Sequence, residues 1–332
     1  DVTIDGITAN NSVTIRTKDT NKVTIGTGGL TVGGNRRVTL KTGSIENSGG
    51  AGAMTVGTGS TLNLYTNSIA NLAANGTNPS VTGTGTLGIA TYDGTKTIGL
   101  GNGATGDLLL PDAKFGTVFG PGFTHYAIGN DAQGTINVAN SSLAKDVTLQ
   151  ADTINFAGDM TLDPGKTLVV NAKTAANQSA GKIKTDKLAL LGGNIALEQN
   201  NEIGTLAANA LSVKVKSNAL TIGEITTPAG APIASTTITG VKSGEVGTVA
   251  GDIVLSADAM TFDKAVEGKG NLTVQQANAA TNLNVGTTGT GLTLPENLFG
   301  GAKIKDGFKH VYLGREDATG ATKVGGNLNF VD

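Results

Sequence analysis

The tightest constraint on this chain is a short beat of apolar, threonine or asparagine, apolar residues, returning about every ten positions. It runs Val2-Thr3-Ile4, Val13-Thr14-Ile15, Val23-Thr24-Ile25, Leu30-Thr31-Val32 and Val38-Thr39-Leu40. It resumes as Ile136-Asn137-Val138, Val147-Thr148-Leu149, Ile154-Asn155-Phe156, Leu272-Thr273-Val274 and Leu283-Asn284-Val285. Alternation with period two gives each run one apolar and one polar face, the signature of a half-buried strand. Gly, Asn, Asp and Ser lie between the runs, where they admit left-handed backbone or imitate a turn with a side-chain hydrogen bond. No segment carries a helical period over a useful length. Asn67 to Asn75 and Gly204 to Leu211 come nearest, and both are short.

Strands this short suit a sandwich, a barrel or a solenoid, and composition decides among them. With 50 glycines in 332 residues, no tryptophan and 4% aromatics, the large side chains that fill a sandwich core are scarce. A solenoid needs only small branched side chains stacked coil on coil at about 4.8 Å. The expected fold is therefore an all-β parallel β-helix of short strands, with roughly 20–25 residues per coil as in other short-strand repeats. An irregular pair of β-sandwiches is the alternative.

A long internal repeat overlies this beat. Leu108-Leu109-Leu110-Pro111, Phe115-Gly116 and Gly122-Phe123-Thr124-His125-Tyr126 return as Leu292-Thr293-Leu294-Pro295, Phe299-Gly300 and Gly307-Phe308-Lys309-His310-Val311-Tyr312. The stretches from Pro111 to Pro295 and from His125 to His310 differ by a single position. The chain thus reads as two solenoid modules, 1–145 and 146–332, expected to stack into one rod. Asp146-Val147-Thr148-Leu149 follows the first copy, and Asp332 stands at the matching place after the second. Because the chain opens with Asp1-Val2-Thr3-Ile4, end-to-end joining of copies is expected.

The cadence Asp146 to Phe156, with Asn201 to Leu206, Ala219 to Gly223 and Gly307 to Asp317, resembles the repeats of filamentous-haemagglutinin-like large exoproteins and adhesins. That resemblance implies a right-handed parallel β-helix, export across a Gram-negative outer membrane by two-partner secretion or autotransport, and an adhesive or biofilm-matrix role at the cell surface. The absence of cysteine suits such a route, since a disulfide would obstruct passage of an unfolded chain.

The expected function is a structural or adhesive extracellular rod or filament segment, with copies of itself and host-cell or matrix glycans as partners. An S-layer-like scaffold, a glycan-binding β-helix module and a polysaccharide-degrading β-helix enzyme are the alternatives. Enzymatic activity is not expected, because the acids are scattered and no cleft motif gathers them. No cofactor or metal is expected either: the glycine-rich stretches open no helix, and the calcium-binding nonapeptide does not recur. With 24 basic and 26 acidic residues interspersed, no stripe invites nucleic acid. No apolar run approaches the roughly 18 residues of a membrane span. One interaction face remains, the aromatic residues and histidines of the repeat: Phe115, Phe123, His125 and Tyr126, then Phe299, Phe308, His310 and Tyr312. A bulky plug where the solenoid changes cross-section is the bland reading of the same residues.

Overall fold

The structure, a computed structural model, describes residues 1–48, 52–74, 78–230 and 234–330, so Asn75 and Asp332 lie outside the described residues. It is 55% strand and 2% helix, a parallel β-helix. Two short helical turns are Lys114–Thr117 and Glu296–Leu298. Contacts divide the chain into two compact units, one of Asp1–Asp163 with Pro228–Ser235, the other of Pro164–Thr227 with Thr236–Asp332.

In the first unit each coil contributes to three columns of parallel strands. One column takes Val13 over Val38, Leu62, Leu87, Tyr126 and Val147 in successive coils. A second joins Ile7–Ala9, Leu30–Val32, Met54–Val56 and Val81–Gly83. The third starts with Val2–Ile4 and Lys22–Ile25 and, further along, pairs Ile98–Leu100 with Thr135–Val138. The two-residue beat explains the columns, because each run offers its apolar face inward and its backbone to the coils on either side. Leu40, Leu64, Ile89, Ile128 and Leu149 form one aligned stack, all fully buried. Burial of each such side chain contributes about 1.5–3 kcal/mol.

Coil length varies in this unit. A short coil carries the chain from Thr135 to its partner Thr153, and a longer one from Met54 to Val81. The repeat motif exceeds both, since Thr86 meets its partner only at His125. The excess forms an additional strand, Leu108–Leu110, which pairs with Ile98–Leu100 on the side opposite Thr135–Val138. Pro111 ends that strand, and its carbonyl accepts from the Lys114 N–H to open the short helical turn.

The second unit repeats the plan. Val213, Ile253, Leu272 and Val311 align in one column, and Ala208, Val241 and Val266 in another. An antiparallel hairpin, Glu224–Thr226 with Thr237–Thr239, leaves the coil, so Val213 and Ile253 pair although a long excursion separates them. Asn271 and His310 are joined by a coil as long as the one between their counterparts Thr86 and His125. Leu292–Leu294 flanks Leu283–Val285 opposite Thr322–Val324, the same extra strand in the same place. Even the isolated bridges recur, Val81 to Phe119 and Val266 to Ile304. The duplicated motif is therefore a duplicated coil geometry. Gly204 to Leu211 belongs to the extended run Ile183–Ser217.

The buried side chain of Asn201 is satisfied on several sides. Asn201 donates to Gln178 Oε1 at 3.0 Å and to the Lys216 carbonyl at 3.0 Å, and its Oδ1 accepts from the Ile183 N–H at 2.8 Å. Such a buried amide costs little once its hydrogen bonds are made.

Candidate binding surfaces

The eight residues of the repeat face take different positions in the two copies. In the first, Phe115 stacks on Phe119 and Tyr126 with ring centroids 5.6 and 4.8 Å apart, and Phe123 lies 6.1 Å from Tyr126. Phe119, Phe123 and Tyr126 are buried, so this cluster is core. Burial also pushes the Tyr126 phenol up to about 12. His125 lies on the opposite, outward side of its strand, yet it is only 2% exposed. The next coil covers it: Asp146–Gln150 pairs with His125–Gly129, and Thr148 Oγ1 lies 2.9 Å from His125 Nε2. The Ala229 backbone also lies beside the ring. Desolvation pulls its pKa down to about 4 against the opposing pull of Asp146.

In the second copy the same motif is open. His310 is exposed, with Nδ1 3.1 Å from Asn271 Oδ1 on the preceding coil and its ring 5.8 Å from that of Tyr312. Among the described residues no strand pairs with the far side of His310–Leu313. Phe299, Ile304, Phe308, His310 and Phe330 border a cavity of about 430 Å³ there, whereas Tyr312 lies outside it. Tyr126 and Tyr312 are not equivalents. With the histidines aligned, Tyr126 matches Val311 and Tyr312 matches Ala127. One residue of offset turns a strand side chain to the other face. Tyr126 accordingly points inward and Tyr312, 51% exposed, points to solvent.

A further cleft, of about 320 Å³, lies on the outer side of the first unit, where Tyr65, Tyr92, Arg37, Lys41, Asp93 and Asp131 converge. Sequence reading passes over it because its residues come from four separate coils. Only the column register, Lys41 beside Tyr65 and Tyr65 beside Ala90, brings them together. Arg37, notable in the sequence only as half of an adjacent pair with Arg36, supplies one of its two cations. In the second unit Arg315 clamps Asp317 through two hydrogen bonds of 2.8 Å.

The fold places the chain among parallel β-helix proteins. No protein family, no curated protein and no solved structure compared with the chain matches it.

Proposed function

We propose that the chain is a structural segment of an extracellular bacterial filament or adhesin, whose copies join coil on coil. The observation that supports this most is the contrast between the two copies of the repeat. The first is closed by a following coil, and the second presents the same geometry with its outer strand edge unpaired among the described residues. An unpaired edge of backbone donors and acceptors is a template for another strand. A further coil of the same geometry suits it, and a coil of another copy is one that could supply it.

The column order bears on how two copies would meet. In the first unit, the column that holds Asp146–Gln150 begins at Val13–Arg16, not at Val2–Ile4. The likeness between Asp1-Val2-Thr3-Ile4 and Asp146-Val147-Thr148-Leu149 is therefore one of composition, not of position in the coil. The correspondence of the two repeats supports setting Val13–Arg16 of another copy against His310–Leu313. Val2 and Val13 are each more than a third exposed, and Val324 is 68% exposed, consistent with edges that take a partner.

The test is concentration-dependent association followed by analytical ultracentrifugation and negative-stain microscopy. Linear oligomers are expected, and Leu313→Pro, which strips a backbone donor from the side of the strand away from Asn271–Gln275, should shorten them to single particles. A chain that stays monomeric at millimolar concentration, or oligomers indifferent to the proline, would refute end-to-end joining.

A further inference from the structure

Beyond its scaffold role, we infer that the outer cleft of the first unit binds a short acidic saccharide, one or two pyranose rings bearing a carboxylate or sulfate. Failure of this inference would leave the scaffold reading standing, since none of the residues that line the cleft belongs to Val13–Arg16 or His310–Leu313, the strand edges on which that reading depends.

The floor of the cleft comes from the register. Along the outward face Lys41 lies beside Tyr65 and Tyr65 beside Ala90, and on the following coils Gly129 lies beside Gln150. The two smallest side chains of that face lie between a tyrosine and a glutamine, which leaves a trough about two strand spacings wide. Tyr92 and Asp93 rise on one side of it, and Asn130 and Asp131 on the other. At about 320 Å³ the space is at the small end of ligand clefts and suits one or two sugar rings.

The walls are held in place. Tyr92 donates its hydroxyl to the Thr17 carbonyl at 2.8 Å, and its backbone N–H donates to Asn67 Oδ1 at 3.2 Å. Lys41 Nζ lies 4.8 Å from the centre of the Tyr92 ring, a cation–π contact that fixes the ammonium at the cleft. Asp131 Oδ1 accepts from the Gln150 side-chain amide, and Asp93 Oδ1 accepts from the Thr95 N–H and hydroxyl at 3.0 and 2.9 Å. Each carboxylate thus keeps its second oxygen for a ligand hydroxyl. The Tyr65 hydroxyl stands in the opposed fields of Arg37 and Asp131, with its ring half-buried beside the trough.

The charges select the ligand. Neither Arg37 nor Lys41 has an ion-pair partner among the described residues. Two unpaired cations beside fixed carboxylates and tyrosine rings match a ligand that carries an anion at one point and vicinal hydroxyls elsewhere. A planar guanidinium pairs with carboxylate or sulfate oxygens two at a time. A phosphate site would not need the tyrosines or the carboxylates. The corresponding corner of the second unit also forms a cleft, bordered by Tyr312, Gln275, Arg315 and Glu316, though there the arginine is already paired.

The test is calorimetric titration of the full chain with a tetrasaccharide of alternating glucuronate and N-acetylglucosamine and with a sulfated form of it. The N-acetylglucosamine tetramer and inorganic sulfate are the comparators. One or both acidic sugars should bind saturably, and the neutral tetramer and sulfate alone at least about tenfold more weakly. Which acidic sugar binds tells whether the anion is carboxylate or sulfate. Arg37→Gln with Lys41→Gln, and separately Tyr65→Ala, should each weaken binding about tenfold or more while far-UV circular dichroism is unchanged, and His310→Ala should leave it intact. Tyr65→Phe keeps the ring and should retain most of the affinity if Tyr65→Ala disturbs the fold. Absence of binding by both acidic sugars, equal binding of inorganic sulfate, or full affinity in the Arg37/Lys41 variant would overturn the inference.

Discussion

His125 shows how much one position depends on what lies beyond it. The same histidine, repeated at His310, is a solvent-facing side chain in one copy and a buried neutral ring in the other, because His125 alone has a further coil beside it and the Ala229 backbone against its ring. The unfolded chain titrates this histidine near 6.5 and the folded chain near 4. Between those values the unfolded state takes up a proton that the native state refuses, so acid favours unfolding. Stability should fall as pH drops from above 6.5 towards 4, by up to about 3 kcal/mol from this residue. Urea unfolding at a series of pH values should show that slope, and His125→Gln should flatten it. An unchanged slope in His125→Gln would show that the ring is not held neutral. Carboxylates such as Glu46 and Glu202, held below the usual range chiefly by Lys22 and Lys182, lose their pairing only in stronger acid.

At the scale of strands and turns, the sequence announces the elements well and their neighbours poorly. Each of the ten apolar–polar–apolar runs is a strand, because period-two alternation is local information. The additional strands Leu108–Leu110 and Leu292–Leu294 are visible as a repeated motif, but their pairing beside Ile98–Leu100 and Leu283–Val285 is not. Pairing depends on coil length, and within one unit the coil that closes at His125 is far longer than the one that closes at Val81. The same difficulty hides the Tyr65–Tyr92 cleft and makes Tyr126 and Tyr312 look alike. Faces are legible from a single strand, and columns are not. The turns carry their own test. Gly94 has φ +78°, and a Cβ there would stand 1.7 Å from the Ala132 carbonyl oxygen of the next coil. Gly103 has φ +82° with nothing within 4 Å. Gly103→Ala should cost about 1 kcal/mol of backbone strain, and Gly94→Ala at least about 1 kcal/mol more, because strain and overlap add there. Urea midpoints of the two variants give the comparison, and equal losses would mean the coils do not approach so closely at Gly94.

For the molecule as a whole, each coil gains stability only from its immediate neighbours, so nothing obliges all coils to melt together. The two contact units make this measurable. Three of the four tyrosines, Tyr65, Tyr92 and Tyr126, belong to the first unit, and only Tyr312 belongs to the second. Tyrosine fluorescence should therefore follow mainly the first unit, while far-UV circular dichroism follows strands in both. The two denaturation curves should separate, and superimposable curves would indicate a single cooperative body.

The lengthened coils also have a use outside the native protein. Ile98 finds Ile136 as readily as Val13 finds Val38, although much more chain lies between the first pair, because the inserted segment leaves and re-enters the lattice at one edge. The excursion behaves like a drawer whose contents do not alter the cabinet. The turn from Gly101 to Gly106 is thus a natural place to splice a foreign epitope for display, with the aliphatic interior untouched by what the loop carries.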